Sequence, residues 1–190
     1  LTGTDENSQK GVDAAKELGK DTKEYIDEMA ARWQSTFDSL GFTHDDFIRT
    51  TEDRHAAAAT KFFKKVHDKG DIYEGEYKGL YCVGCEAFLT ESDLVDGKCP
   101  NHKKAPEQIS EKNYFFKLTK YRDALLKHIK KNPEFIMPES RRNEVISYIE
   151  NFMEDISISR SSMKWGIPVP VDPEQRLYVW FDALINYLSA

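Results

Sequence analysis

Three cysteines and one histidine lie within one short window of the sequence. They form two pairs, Cys82-Val-Gly-Cys85 and Cys99-Pro-Asn-His102, and the chain has no other cysteine. Two intervening residues let the backbone turn back, so that both side chains of a pair can reach one tetrahedral ion. A set of disulfide-bonded or buried thiols fits less well, because three cysteines cannot all pair. The spacing therefore predicts a Zn²⁺ site.

The predicted ligands, Cys82, Cys85, Cys99 and His102, fill all four positions around the ion. No position is left for water or substrate, so we expect the zinc to be structural rather than catalytic. Such an ion contributes folding free energy on the order of 10 kcal/mol.

Composition indicates a globular chain of one domain or two small ones. It has 190 residues, of which 39% are hydrophobic and 32% charged, and its apolar runs are too short for a membrane span. The first residues do not resemble a secretory signal, so we expect a cytoplasmic protein with no membrane partner. A net charge of -6 argues against a surface that binds nucleic acid throughout. The chain lacks an initiator methionine and ends inside an apolar stretch, so we expect an internal segment of a longer protein.

Up to about residue 70 the pattern predicts alternating strands and helices, which is typical of an α/β unit with a parallel sheet. The predicted strands are Leu1–Thr4 and Phe47–Thr50, and helices are expected at Gly11–Leu18, after a capping box at Asp21–Glu24, and at about 52–69. Apolar residues recur at three- and four-residue steps on the second helix, and we expect them to pack into the core: Ile26, Met29, Trp33, Phe37 and Leu40.

From Asp71 the pattern changes to short aromatic segments. Ile72–Tyr77 and Gly79–Tyr81, separated by glycine, predict two hairpin strands leading into the cysteine pairs. Further on we expect a strand, two helices, a strand at 156–159 and a loop at 165–170. The apolar run Leu177–Phe181 predicts a buried strand, followed by a helix from Ala183 to Leu188 with Asp182 as its cap.

Two places could bind a ligand at the carboxyl ends of strands. Asp5 follows the first strand, and an aromatic cluster from Trp180 to Tyr187 follows the last. A carboxylate and an aromatic cluster could hold the ammonium group and the apolar side chain of an amino acid. Alternatively, Asp5 only caps a helix, and Trp180 and Tyr187 belong to the core.

Eight short motifs together resemble the methionyl-tRNA synthetases, and they cover essentially the whole chain in order. The motifs are Gly3-Thr-Asp-Glu6, Phe47-Ile-Arg-Thr-Thr51, Gly70-Asp-Ile-Tyr73, Gly79-Leu-Tyr-Cys82, Asn143-Glu-Val145, Ile156-Ser-Ile-Ser-Arg160, Trp165-Gly-Ile-Pro168 and Tyr178-Val-Trp-Phe-Asp-Ala183. The likeness is greatest to bacterial forms with a single zinc knuckle.

The resemblance implies an α/β fold. Residues 1–70 would form part of a class I Rossmann-like nucleotide-binding domain. Residues 71–172 would be an inserted α+β connective-peptide domain with the zinc knuckle at 80–103, and residues 173–190 would return to the catalytic domain.

The resemblance also implies the reaction and the roles of single residues. Methionine and ATP, with Mg²⁺ as helper ion, would form methionyl-adenylate, and the methionyl group would pass to tRNA(Met). Asp5 would bind the methionine ammonium group, and Arg160 would act in the activation step. Four residues would line the pocket for the methionine side chain: Trp180, Ala183, Leu184 and Tyr187.

The chain departs from the family pattern in two respects. Asn7-Ser8 stands where the family usually has His-Gly, and Ser8 resists backbone angles that a glycine could adopt. The His-Ile-Gly-His and Lys-Met-Ser-Lys-Ser types of ATP motif are absent from the 190 residues, so we expect that this segment alone does not form the adenylate.

Two other functions fit parts of the pattern. The knuckle, with Lys98, Lys103 and Lys104 nearby, could be a stand-alone module that binds RNA or protein, although the acidic balance argues against it. A class I synthetase for cysteine or a branched aliphatic amino acid is the other alternative. The insertion is too short for the editing domain of the aliphatic group, and the closed metal site does not suit cysteine activation.

Overall fold

A computed structural model of the chain describes residues 1–190 and contains nine strands and six α-helices. The strands are β1 (Thr2–Thr4), β2 (Phe47–Arg49), β3 (Ile72–Cys82), β4 (Ala87–Leu89), β5 (Glu107–Phe116), β6 (Ile156–Ser157), β7 (Ser159–Arg160), β8 (Pro168–Val169) and β9 (Asp172–Leu177). The helices are α1 (Gln9–Glu17), α2 (Thr22–Ser39), α3 (Asp53–Asp68), α4 (Arg122–Lys131), α5 (Glu139–Asn151) and α6 (Val179–Ser189). None of the helices combines the length and the apolar character that a membrane span requires.

The strands form three sheets. β1 and β2 pair in parallel, which confirms the predicted α/β alternation at the start of the chain. The second sheet has the order β4-β3-β5-β6 with antiparallel pairs, and the third has the order β7-β9-β8. Gly3 in β1 faces Ile48 so closely that an added Cβ would lie 1.9 Å from the Ile48 carbonyl oxygen. Only glycine therefore fits this position.

The backbone passes from β1 into α1 along an ordinary path. Ser8 is the N-cap of α1 with φ -121° and ψ 152°, and its hydroxyl accepts a hydrogen bond from the Gly11 amide at 3.4 Å. These angles are in the extended region, which any residue can adopt. Serine in place of the usual family glycine therefore leaves the entry to this helix unstrained.

The second half of α2 does not pack into the core, contrary to our expectation. Ile26 and Ala30 are buried, whereas Trp33 is 54% exposed and Leu40, just after the helix, is 61% exposed. Phe37 is half-buried against the Phe47 ring, 6.4 Å away. The reason is length, because the neighbouring helix α1 has 9 residues and α2 has 18. At about 1.5 Å per residue, α1 is only half as long as the helix it packs against.

The prediction of two short hairpin strands after Asp71 was wrong. β3 is one continuous strand of 11 residues that pairs with β5 from Ile72 to Tyr81. Gly75 and Gly79 lie inside it, where an added Cβ would be 3.1 Å from the Phe115 ring and 2.3 Å from the Tyr77 hydroxyl. These glycines make room for aromatic rings and do not form turns.

The predicted strand at Leu177–Phe181 was also misplaced. β9 ends at Leu177, and α6 begins at Val179 with Tyr178 as its N-cap. Asp182 is not a cap but a fully buried residue in the first turn of α6. A short apolar run does not distinguish a buried strand from the buried start of a helix. The predicted loop at 165–170 contains β8.

The main core joins residues that are far apart in the chain. It contains Ala59, Phe63, Ile72, Ile158, Ile167, Val169, Leu177 and Ile185. These residues come from α3, β3, α6 and the stretch from the end of β6 to the end of β9. The predicted boundary between 172 and 173 lies inside β9. The division of the chain into three segments remains a prediction.

Candidate functional site

The four predicted metal ligands converge at the end of β3. Their ligand atoms all lie within 4.8 Å of one another. The Cys85 sulfur is 3.5 Å from the Cys99 sulfur and 3.2 Å from Nδ1 of His102, and the Cys82 sulfur is 3.8 Å from the same nitrogen. Tetrahedral zinc, with Zn–S bonds of about 2.3 Å, places its sulfur ligands about 3.8 Å apart. The group could therefore hold a metal ion.

The backbone around the ligands suits this arrangement. An added Cβ at Gly84 would lie 2.4 Å from the His102 ring, so glycine is needed for the histidine to come close. The amide of Cys85 donates to the Cys82 sulfur at 3.4 Å. Hydrogen bonds from the backbone and ring of His102 lower the pKa of the Cys99 thiol to about 6, which favours the thiolate that a metal binds.

Glu86, the residue after Cys85, connects the knuckle to other elements. Its Oε2 accepts a hydrogen bond from the Tyr81 hydroxyl at 2.5 Å, and its Oε1 accepts one from the Lys10 amide of α1 at 3.2 Å. Its backbone carbonyl accepts hydrogen bonds from the Trp180 indole at 2.9 Å and from the Tyr178 hydroxyl. Glu86 could not be predicted from the sequence, because three of its four partners are distant in the chain.

The loop that carries Asp5 is held by its neighbour Glu6. The buried Glu6 carboxylate binds Arg49 at 2.8 Å and accepts a hydrogen bond from the Thr51 hydroxyl. The Trp165 indole donates to the Glu6 carbonyl at 2.9 Å. Three of the motifs identified in the sequence therefore meet at this loop.

Asn7 joins the Asp5 loop to α6. Its side-chain amide donates to Oδ2 of Asp182 at 2.8 Å and to the Thr50 carbonyl at 3.1 Å. Burial raises the pKa of Asp182 to about 8 against the effect of the Asn7 hydrogen bond, and the charge of Asp5 raises it further. Burial also raises the pKa of Asp5, and His55 acts against it.

His55 of α3 provides a second contact to α6. It is fully buried, and its Nδ1 is 2.9 Å from the Ser189 hydroxyl at the end of α6. No sequence signal pointed to Asn7, His55 or Asp182 as partners of these elements. Together their contacts keep α6 beside the Asp5 loop.

The predicted pocket residues lie along α6. Trp180, Leu184 and Tyr187 are 52%, 68% and 74% exposed and follow one another at four- and three-residue steps, so they share one face. Ala183 is buried. The aromatic residues therefore do not belong to the core, as the alternative interpretation would require.

Arg160 lies in β7. Its guanidinium forms an ion pair with Glu111 at 3.1 Å and stacks 4.0 Å from the centre of the Tyr81 ring. The side chain is almost fully buried. Its predicted part in an activation step stays a prediction.

Comparison with known proteins identifies the family. A family model described as tRNA synthetases class I (M) matches residues 1–109 and 92–190. The chain belongs to this family. A methionine–tRNA ligase of Caldanaerobacter subterraneus subsp. tengcongensis is 48% identical over 190 residues, and one of Thermosynechococcus vestitus is 49% identical over 192 residues. Both alignments cover 100% of this chain, which spans 30% and 36% of the length of those relatives.

Solved structures of a class I (M) synthetase share the fold of this chain. Mycobacterium tuberculosis methionyl-tRNA synthetase bound by methionyl-adenylate matches with a TM-score of 0.93 and 41% identity, covering 100% of this chain and 38% of that one. The free state of the same enzyme matches with a TM-score of 0.75 and 41% identity over 86% of this chain and 34% of that one. The predicted combination of a Rossmann-like domain and an insertion is thus confirmed as a fold class.

Proposed function

We propose that the protein to which this chain belongs is a methionine–tRNA ligase. It would join methionine to ATP as methionyl-adenylate and transfer the methionyl group to tRNA(Met). The observation that carries the proposal is the position of α6, the helix with the exposed aromatic face, next to the Asp5 loop. The Asn7–Asp182 hydrogen bond of 2.8 Å maintains that position, in a chain that matches the class I (M) family along its whole length.

The two sides of this site suit the two ends of methionine. The Asp5 carboxylate would bind the ammonium group. Trp180, Leu184 and Tyr187 would contact the side chain, with Ala183 leaving space beneath them. A thioether gains about 0.3 to 1.5 kcal/mol from an aromatic contact, and apolar walls keep water out. Discrimination against an analogue shorter by one methylene would be limited to about 1 to 3 kcal/mol.

Arg160 would assist the activation step by offsetting the charge that builds up on the leaving pyrophosphate. Its present partner is the Glu111 carboxylate at 3.1 Å. The guanidinium would therefore have to exchange this partner, or act through it, when ATP and Mg²⁺ are bound. An arginine suits this exchange, because its planar group binds carboxylate and phosphate with the same geometry.

The knuckle would hold Zn²⁺ through Cys82, Cys85, Cys99 and His102, and the ion would supply folding free energy rather than chemistry. Residues 71–172 would form the inserted domain around it, between catalytic segments 1–70 and 173–190. The alternative of a stand-alone binding module is less well supported, because Cys82 and Cys99 are buried and Glu86 binds both α1 and α6.

Methionine-dependent exchange of pyrophosphate into ATP by the full-length protein tests the proposal. We expect exchange in the wild type. We expect Trp180→Ala to raise the KM for methionine by up to about tenfold, since an aromatic contact to the thioether contributes up to about 1.5 kcal/mol, with little change for ATP. Phe152→Ala, which removes another exposed aromatic side chain next to the distant helix α5, is the control.

Two results would count against the proposal. No exchange by the full-length wild type would overturn it. Equal losses of methionine and ATP binding in Trp180→Ala would show that Trp180 only stabilises the fold.

A further inference from the structure

We propose that Glu86 is a positioning residue, which fixes the indole of Trp180 and thereby couples the metal knuckle to the exposed face of α6. The role of this face in binding methionine rests on the function proposed above. The coupling itself rests on hydrogen bonds that do not depend on any substrate.

The side chain and the backbone of Glu86 hold different parts of the molecule. The carboxylate binds the Tyr81 hydroxyl of β3 and the Lys10 amide, and the carbonyl binds the Trp180 indole of α6. The Lys10 amide belongs to the first turn of α1, where backbone amides have no partner within the helix and attract negative charge. Buried Glu86 therefore connects three elements through one residue.

The backbone of Glu86 is held in an unfavourable conformation. Its φ is 50°, in the left-handed region that costs a residue other than glycine about 1 to 2 kcal/mol. Two constraints keep Glu86 from relaxing to an ordinary negative φ. One is the pair of hydrogen bonds that its carboxylate accepts, and the other is the turn between Cys82 and Cys85 that precedes it. Since this conformation aims the carbonyl at the indole, loss of either constraint would release Trp180.

Asp96 offers a matched control on the other side of the knuckle. Its φ of 52° is almost the same, it lies near Cys99, and its side chain is exposed. Replacement by alanine therefore has a similar backbone cost at both positions. Only Glu86→Ala would remove side-chain contacts to α1 and β3, and with them the constraint that holds the carbonyl towards α6.

The indole N–H signals of the chain report the coupling directly. The sequence has three tryptophans, which can be assigned in a ¹⁵N-labelled, Zn²⁺-loaded chain by single Trp→Phe variants. We expect Glu86→Ala to shift the Trp180 signal and to raise its exchange with water about tenfold, while exposed Trp33 is unchanged. Asp96→Ala should leave the Trp180 signal in place. Glu86→Gln, which keeps the shape and one acceptor oxygen, should give an intermediate shift.

Metal content is measured on every variant, because Glu86→Ala could lose the ion. In that case the comparison is made with Glu86→Gln and with wild type stripped by a chelator, which we expect to show a displaced Trp180 signal. An unchanged Trp180 signal in the Glu86 variants and in the stripped wild type would overturn the proposal. An equal shift in Asp96→Ala would also overturn it, because the effect would then be general to the knuckle.

The kinetic consequence is tested on the full-length protein. We expect Glu86→Ala to raise the KM for methionine more than the KM for ATP, with kcat less affected, and Glu86→Gln to recover part of the loss. A shifted indole signal with an unchanged KM for methionine would leave the coupling established and would contradict the pocket proposed on α6. An unshifted signal would contradict the coupling whatever the kinetics.

Discussion

The buried carboxyl group of Asp182 makes the stability of the fold depend on pH. One of its oxygens accepts the Asn7 amide at 2.8 Å, and the other has no partner. Burial is the main reason that its pKa is raised to about 8 from 3.8. The folded chain then keeps a proton that the unfolded chain releases between these two pH values. The contribution of the protonated Asp182 carboxyl to the free energy of unfolding is fully present below about pH 4. It falls as the pH rises towards 8.

Asp182→Asn is expected to remove this dependence, because an amide has the shape of the protonated acid but does not ionise. The variant should melt at a higher temperature than wild type at pH 8 and at a similar temperature near pH 4. A difference of one pKa unit between the folded and the unfolded chain corresponds to about 1.4 kcal/mol. The variant should therefore gain at least this much free energy of unfolding over wild type at pH 8. Thermal melts across the pH range measure it, with exposed Asp38→Asn as control. A variant that loses stability with rising pH as steeply as wild type would contradict the assignment.

Gly84 decides whether the fourth metal ligand can approach. A Cβ at this position would lie 2.4 Å from the His102 ring, so Gly84→Ala should displace the imidazole and lower the affinity for Zn²⁺. We expect a loss of at least about tenfold, measured by competition with a coloured chelator. Val83→Ala removes a neighbouring side chain without creating a clash and should bind the metal as wild type does. Equal affinities of the two variants would mean that the turn can adjust.

The sequence allowed some of these residues to be predicted and not others. Cys82 and Cys85 are three positions apart, so their spacing alone indicates that they face one ion. Asn7 and Asp182 are separated by 175 positions, and only the completed fold brings them together. No local pattern carries that information. The same holds for the bond between Glu86 and Trp180.

At the scale of elements, helix ends were easier to predict than the surroundings of a helix. Gly19 and Gly70 follow α1 and α3 with φ of 66° and 72°, as residues that end helices commonly do. The misplaced strand at Leu177–Phe181 and the exposed end of α2 have another cause. Both depend on which neighbours cover an apolar run, and such a run looks the same whether it is covered or exposed.

The two halves of α2 should therefore respond differently to mutation. Ile26 packs on Gly11 of α1, where an added Cβ would be 2.8 Å from Cδ1 of Ile26. Ile26→Ala should lower the free energy of unfolding by about 2 to 5 kcal/mol. Trp33→Ala, on the exposed half, should cost less than about 1 kcal/mol. Denaturant titrations compare the two, and a larger effect at Trp33 would show that a partner covers this half in solution.

At the scale of the whole molecule, the metal site is not an isolated appendage. Tyr81 at the end of β3 packs with Tyr178 and Val179 at the start of α6, and Phe88 of β4 contacts this cluster. The helices α4 and α5 form a separate cluster around Ile129, Ile149 and Met153. Loss of the ion should therefore affect the first cluster and leave the second intact.

Removal of Zn²⁺ by a chelator, or Cys99→Ala, is expected to unfold the knuckle locally and to lower the melting temperature, since structural zinc contributes folding free energy. Hydrogen exchange followed by mass spectrometry locates the effect. We expect faster exchange at the end of β3, in β4 and at the start of α6, because Glu86 and the Tyr81 cluster join them. Exchange in α4 and α5 should be unchanged, which provides an internal control.

An unchanged melting profile after chelation would contradict the structural role of the ion. Faster exchange confined to 82–103 would mean that the knuckle unfolds without loosening α6, and the coupling through Glu86 would then have no part in the stability of the molecule.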